Sequence, residues 1–495
     1  REVTDMGFIS RYVREQKRYT KNEIKSIFSF SESEAESFIR RLKSFGIMKA
    51  VKNTAGQRDL SDLSDADIEI ADDTGESSEC FYVFTYVGVL TIGDRVVKCF
   101  PKYITQNDAP DTEMKQVIRV LRRYGSKEQI VNLYNGDGQS SSFNILAVML
   151  FLLEDYHQYG AYINSEDIVE VNGEGPILWG QTIDNGFTLI SSNRPYYVDI
   201  YTHRSVDDEQ DFFHRLHRCI VSESSRQLRD AGLIDLFDLV EADVSDEALE
   251  DFGDREYILY RLQSELGGQF NTHKQTILKT LYAFISYHRT LIESEGISMY
   301  GTNSFNLVWE NVCAEVFNNK LKTQLRHLPF PDGLTPGYDP KTLLIDIIEK
   351  PQWQGWNADG TAFVKAAAET LTPDLINIYE EDGAYTFVIF DAKYYCIQLE
   401  SGKPLRGQPG VGDVTKQYLY QLAYRNFISQ NHIQDVKNCF LMPTEQANVV
   451  KLGAVSLPML HDLDLTDIQI RLLPAVKMYD LYLSRKSLDI SALEL

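Results

Sequence analysis

A mixed α/β (α+β) chain of several domains is the fold class that the sequence predicts, and three observations predict it. Its 495 residues exceed what one ordinary domain holds. Apolar residues at helical spacings of three and four are interspersed with short aromatic and β-branched runs suited to strands. Residues 372–395, TPDLINIYEEDGAYTFVIFDAKYY, read as two apolar strands joined by a polar Glu-Glu-Asp-Gly turn. The expected division is a winged helix-turn-helix-like module over 1–75, an α/β middle domain over 76–235, a helical connector over 236–295, and a C-terminal domain over 296–495 that holds the hairpin.

A hydrophobic fraction of 43% with 12% aromatics is enough to build real cores. No run approaches the roughly 18 apolar residues that a membrane helix needs, so no membrane partner is expected. The most apolar stretch, residues 145–153, is short and polar-flanked, and reads as a buried helix. The opening Arg1-Glu2-Val3-Thr4-Asp5 does not resemble a signal peptide. Cys80, Cys99, Cys219, Cys313, Cys396 and Cys439 form no C-x-x-C pair. They read as reduced core thiols of a cytoplasmic protein. A net charge of −23 argues against coating nucleic acid by bulk charge. An acidic chain that acts on nucleic acid needs local basic clusters, or a partner that delivers the substrate.

Residues 1–55 carry twelve Lys and Arg against seven Asp and Glu. Thr20-Lys21-Asn22-Glu23 and Ser31-Glu32-Ser33-Glu34 are capping boxes, each starting a helix. The first bears Ile24, Ile27 and Phe28. The second bears Ala35, Phe38, Leu42 and Phe45 and ends at Gly46. Two short helices, with Arg40, Arg41 and Lys43 on the second, suggest a helix-turn-helix followed by a wing. Two readings stand: DNA binding through those three side chains, or protein docking with a solvated basic face. Residues 56–80 then hold nine acids against Arg58 alone and read as an exposed linker.

Residues 81–103 read as strands around a Gly93-Asp94 turn. A helix follows over 112–124, whose Lys115, Arg119, Arg122 and Arg123 suit a solvated face better than a phosphate clamp. A buried helix spans 143–158. Residues 176–202 read as extended pieces ending in a strand over 196–201. His214 and His217 share one face of the next helix, with His203 nearby, and packing explains them better than metal ligation. Residues 241–256 are acidic and expected to be exposed. A helix over 272–292 buries Ile277, Leu278, Leu281 and Ile285. Residues 327–361 have no regular period and read as a long loop.

The second strand of the 372–395 hairpin ends abruptly in Asp391-Ala392-Lys393, and Pro373-Asp374 opens the first. No packing requirement places two carboxylates and a lysine at strand ends. A hydrolytic metal site does. Asp374, Asp391 and the Ala392 backbone carbonyl offer the hard oxygens that Mg²⁺, or Mn²⁺, prefers. Lys393 is placed to stabilise a nucleophile or the charge developing on phosphate.

Pro-Asp, sixteen intervening residues, then Asp-x-Lys resembles the PD-(D/E)xK nuclease superfamily. That resemblance implies a Glu on the preceding helix. Glu310 in Phe305–Phe317 matches it, with Glu315 as the fallback, and Glu310 is a further candidate metal ligand. It also implies a helical Gln after the core: Gln421 in Leu-Tyr-Gln-Leu-Ala-Tyr, with Gln417 as competitor. The implied catalytic set is Glu310, Asp374, Asp391, Lys393 and Gln421. The W-E helix, T-P-D, F-D-A-K-Y and L-Y-Q-L-A-Y together resemble McrC, the nuclease subunit of an NTP-dependent restriction complex. Residues 86–89, 100–103, 178–179, 196–201 and 216–217 resemble the related LlaJI restriction endonuclease family.

These resemblances imply an Mg²⁺-dependent endonuclease subunit acting on double-stranded DNA, activated by an AAA+ GTPase partner, with a DNA methyltransferase possible in the same system. The sequence has no G-x-x-x-x-G-K-[ST], so the chain itself is expected to bind no nucleotide. Two alternatives remain open: a repair or recombination nuclease of the same fold acting on DNA ends, and a non-cleaving adaptor between an NTPase and DNA.

Overall fold

The computed structural model describes residues 8–52, 80–125, 144–286, 297–329, 337–381 and 383–495. The acidic linker expected over 56–80 lies outside them except for Cys80. The described residues fall into two compact units. One lies within 1–9, 91–94 and 136–299, the other within 10–90, 95–135 and 300–495. The architecture is mixed α/β throughout.

The second unit begins with β1 (Ile9–Arg14) and β2 (Arg18–Tyr19). Next come α1 (Lys21–Phe28), α2 (Glu32–Ser44), β3 (Met48–Lys52) and β4 (Cys80–Phe84). Both capping boxes form. The Glu23 carboxylate accepts from the Thr20 N–H at 2.7 Å and that of Glu34 from the Ser31 N–H at 2.7 Å, while each hydroxyl accepts in return. Ile24, Phe28, Phe38 and Leu42 make the small core, with the Phe28 and Phe38 rings 5.1 Å apart. Phe45, expected on the buried stripe, is 37% exposed because α2 ends before it and Gly46 turns the chain at φ +68°. Strands β2, β4 and β3 form one antiparallel sheet in that order. β5 (Val87–Ile92) and β6 (Arg95–Phe100) are buried along their whole length. At Gly88, φ +143°, a Cβ would lie 2.2 Å from the Tyr300 carbonyl oxygen, so only glycine fits. α3 (Asp111–Gly125) follows. Its Arg123 lies over the Tyr482 ring and pairs with Glu315, so it is tied into the fold.

The first unit contains α4 (Ile145–Tyr159), β7 (Ser165–Val171), α5 (Trp179–Asn185), β8 (Thr188–Ser191), β9 (Arg194–Tyr197) and β10 (Tyr201–Asp207). It continues with α6 (Phe212–Asp230), α7 (Arg255–Gly268) and α8 (Thr272–Ser286). The strand expected over 196–201 is two strands with a break. Tyr196-Tyr197 close a β8–β9 hairpin turned by Ser192 and Asn193, both at positive φ, and Tyr201 starts β10 opposite β7. His214 and His217 hold the backbone of Tyr162. The Tyr162 N–H donates to His217 Nδ1 at 2.9 Å, and His214 Nδ1 lies 3.0 Å from the Tyr162 carbonyl. Burial pushes His217 down to about 3, so its imidazole is neutral and structural. The acidic stretch 241–256 is not simply exposed. The Ser225 and Ser222 hydroxyls on α6 accept from the N–H groups of Ala242 and Val244, and Phe252 is buried.

β11 (Ser298–Thr302) crosses from the first unit into the second, which resumes at Tyr300 and continues with α9 (Phe305–Val316). β11 is an edge of a four-stranded sheet ordered β1-β6-β5-β11. The loop expected over 327–361 holds β12 (Gln352–Trp356), paired with β13 (Ala362–Ala366). Both strands are exposed on both faces, so no burial periodicity marks them. Then come β14 (Leu375–Glu381), β15 (Ala384–Ala392), α10 (Val411–Gln430), β16 (Asp435–Thr444), β17 (Val450–Val455), β18 (Ile468–Pro474) and α11 (Ala475–Leu483). The hairpin read from residues 372–395 is β14–β15, antiparallel with Leu375 opposite Phe390. β15 and β16 run parallel with α10 as crossover, and the sheet order is β14-β15-β16-β18-β17.

Side-chain alternation then sets the faces. Phe387 and Ile389 pack under α10 with Tyr424, and Phe387 also with Phe427. Phe390 points the other way and stacks on Phe317 at the end of α9. The Trp309 indole donates to the Leu441 carbonyl at 3.1 Å, and the Lys393 N–H donates to that same oxygen at 2.9 Å. One carbonyl thus ties α9 to the end of β15. Asn319 fixes the other strand: its Nδ2 donates to the Asp374 carbonyl at 3.0 Å and its Oδ1 accepts from Leu321 and Ile376. Asn319→Ala strands these part-buried backbone groups. It is expected to lower unfolding stability by about 1–3 kcal/mol, read as a reduced urea midpoint with an unchanged slope.

Candidate active site

The end of β15 is where chemistry-bearing side chains converge. Asp391 is 3% exposed, on the α10 face in phase with Phe387 and Ile389. Asp374 sits just before β14 on the adjacent strand, and its Oδ2 accepts from the Ala392 N–H at 2.8 Å. Lys393 Nζ lies 2.9 Å from Asp391 Oδ2 and 3.1 Å from Asp413 Oδ1. Asp413 belongs to the first turn of α10, so the helix that covers the sheet also supplies the second partner of the lysine.

Burial pushes the Asp391 carboxyl well above its usual range, and a hydrogen bond and charge from Asp374 push it further. Lys393 opposes this without reversing it. Burial alone would lower Lys393. The Asp391 and Asp413 carboxylates outweigh it, and the ammonium is held above its ordinary value. Glu310 on α9 is half-buried and raised, first by burial. A hydrogen bond with Asn306 and the charge of Lys393 lower it, and Asp391 raises it. Glu310, Asp374, Asp391 and Lys393 therefore share one electrostatic neighbourhood.

Other residues fall elsewhere. Glu315, the fallback acid, pairs with Arg123 and tethers α9 to α3. Gln421 lies two helical turns along α10 from Asp413, and its Oε1 accepts from Asn438 at 2.7 Å and from Thr466. Gln417 lies nearer the strand end: its Nε2 donates to the Ile389 carbonyl at 3.0 Å, and its buried Oε1 has no hydrogen-bond partner. Neither glutamine is bonded to Asp391 or Lys393. Arg40, Arg41 and Lys43 lie on the last turns of α2, in the N-terminal module. The residue that sequence reading missed is Asp413. An acid at the start of the helix after Asp-x-Lys, preceded by Gly410 and Gly412, was the available signal.

The donor set fits a hard cation. Two carboxylates close enough to share a proton, with a backbone carbonyl beside them, are relieved when a divalent ion replaces the proton. Asp374, Asp391, the Ala392 carbonyl and Glu310 are the residues that would hold it. Among the described residues no three or more His, Cys, Asp or Glu side chains form a group that could hold a metal ion by themselves. An ion here would keep several waters, as Mg²⁺ does.

A family model described as LlaJI restriction endonuclease matches residues 86–334 and 339–477, which includes Glu310, Asp374, Asp391 and Lys393. The chain belongs to the LlaJI restriction endonuclease family. It is similar to the Type II restriction enzyme BsuMI component YdjA of Bacillus subtilis, with 26% identity over 420 residues, 83% of each chain. Two solved assemblies from Thermococcus gammatolerans also align. A half-complex of McrB AAA+ hexamers with bound McrC aligns at 12% identity and TM-score 0.37, covering 96% of this chain and 98% of that one. The McrBC complex aligns at 14% identity and TM-score 0.24, covering 61% and 84%. No described helix of this LlaJI-family chain is long and apolar enough to cross a membrane.

The raised Asp391 carboxyl has a consequence for stability. A folded-state value above the unfolded one means that folding favours the protonated form, and that contribution is lost as pH rises. Asp391→Asn, which mimics the neutral acid, is expected to raise the Tm in EDTA at pH 8 by a few degrees. The gain shrinks as pH falls and Asp391 takes up its proton, and melting curves at pH 5 and pH 8 check it.

Proposed function

We propose that this chain is the Mg²⁺-dependent cutting subunit of an NTP-dependent restriction system, hydrolysing double-stranded DNA at a PD-(D/E)xK site when a separate AAA+ GTPase subunit activates it. One observation carries the reading: the buried Asp391, hydrogen-bonded to Asp374 and 2.9 Å from Lys393 Nζ, at the end of a central strand. A core has no use for this arrangement, because two adjacent buried carboxylates destabilise it. Phosphodiester hydrolysis needs it.

Asp374, Asp391 and the Ala392 carbonyl would hold a divalent cation, which would supply charge neutralisation for the phosphoryl oxygens. The chain's own residues do the rest. Lys393, held protonated by Asp391 and Asp413, contributes positive charge as negative charge grows on phosphate, and so acts as electrostatic stabiliser rather than base. Asp413 fixes the lysine's direction. Glu310, whose raised carboxyl lies in the field of Asp391 and Lys393, would orient water or offer a further oxygen to such a cation. Trp309 and the Leu441 carbonyl hold α9 and Lys393 in register.

Three further points support the subunit reading. The Bacillus subtilis relative is named as a component, the mark of a multi-chain enzyme. This sequence has no P-loop motif, so nucleotide-driven work falls to another chain. The order β2-α1-α2-β3-β4 supports a winged-helix reading, with Arg40, Arg41 and Lys43 as its DNA-facing candidates and protein docking as the alternative. A methyltransferase protecting host sites completes such a system.

The test is cleavage of supercoiled circular plasmid by the chain with its NTPase partner, GTP and Mg²⁺. Wild type linearises it. Asp391→Asn and Lys393→Ala each lower the rate at least ~10²–10³-fold while circular dichroism stays unchanged. Full activity in either variant contradicts the assignment. Circles left intact while linear DNA is degraded mark a nuclease acting on ends, and no cleavage of either form marks an adaptor.

A further inference from the structure

The loop that follows Lys393 walls a cleft of about 200 Å³ in the second unit, whose charge is inverted relative to the chain. The sequence holds 49 basic against 72 acidic residues, yet this cleft is lined by Arg14, Lys17, Lys102 and Arg406 against Glu15 alone. We infer that the cleft seats a backbone phosphate of the DNA duplex, so that this chain grips the substrate beside the cut through residues outside both the catalytic cluster and the α2 basic face.

The walls are built rather than incidental. One wall is the loop between Lys393 and Asp413, the two ends of the catalytic ion pair. A two-way bridge, Gln398 N–H to Arg406 carbonyl at 2.8 Å and Arg406 N–H to Gln398 carbonyl at 3.4 Å, fixes the Arg406 backbone. Gly407, at φ +64°, passes so close to the Cys396 carbonyl that a Cβ would lie 2.2 Å from it. The opposite wall is the end of β1 and the chain after β6. There Lys102 Nζ sits 3.0 Å from Gln16 Oε1 and 4.6 Å above the ring of Tyr394, the residue directly after Lys393.

The acids near the cleft are engaged. Glu15 accepts from the Tyr394 hydroxyl at 2.6 Å and from the Lys102 N–H at 3.2 Å. Glu445 accepts from the Thr105 N–H and hydroxyl and from the Gln106 N–H. Asp108, almost wholly exposed, lies 3.7 Å from Lys17. Glu15 is buried, raised in the first place by its burial and lowered by Lys102. It serves as the floor that orients Tyr394 and Lys102.

The inference takes its ligand from the DNA-cutting reading, and the experiment separates the two. Binding of the full chain to a fluorescein-labelled 20-base-pair duplex is followed by anisotropy in EDTA, where no cutting occurs, between 25 and 200 mM NaCl. Arg14→Ala/Arg406→Ala is expected to weaken binding at least tenfold at the lowest salt. It should also reduce the slope of log K against log salt by about one to two, roughly 0.9 per lost phosphate contact. Arg406→Glu, on an exposed loop, gives the same direction if the double variant melts early. A wild-type chain with no measurable duplex affinity at 25 mM salt, or variants with unchanged slope and affinity, overturns the cleft. Loss of binding in the cleft variants, in a wild type that never cuts plasmid, leaves the cleft standing and removes the nuclease reading instead.

Discussion

A like-charge contact inside a folded core governs the second unit. Asp374 and Asp391 are brought together by adjacent strands, one accepting from the backbone N–H beside the other, with a single ammonium against them. Left alone, such a pair weakens the fold, and the raised Asp391 carboxyl is the sign of it. What surrounds the pair keeps the strand ends from relaxing. Asn319 clamps β14, the Leu441 carbonyl joins Lys393 to Trp309, and Asp413 on α10 holds the lysine from the far side. The aromatic packing of Phe387 and Phe390 on opposite faces of β15 makes that frame rigid.

Much of this was legible in the chain itself. The β14–β15 hairpin announced its turn chemistry and its apolar strands, and the strand ends carried acids with no packing purpose. Both N-terminal helices were marked by capping boxes, which act locally and therefore show in sequence. Glu310 followed from a resemblance, and the fold places it within the field of Asp391 and Lys393.

What stayed hidden depended on tertiary contact. Asp413 has no spacing rule to Lys393; only the return of α10 across the sheet joins them. Gln417 and Gln421 lie one turn apart on a helix whose sides are indistinguishable by periodicity, because buried tyrosines surround both. The β12–β13 hairpin buries neither face and so leaves no pattern. The break between β9 and β10 falls at Val198-Asp199-Ile200, inside a run that reads as one strand from Tyr196 to Tyr201. His214 and His217 read as packing residues, and the contact they make, holding the Tyr162 backbone, shows only in the fold.

We propose that the Asp374–Asp391 pair holds a divalent cation. Soaking crystals of the chain in Mn²⁺ and measuring anomalous scattering tests it most directly. The prediction is one strong peak bounded by Asp374, Asp391 and the Ala392 carbonyl, lost in Asp391→Asn crystals. Manganese bound only elsewhere, or unchanged by that substitution, contradicts it.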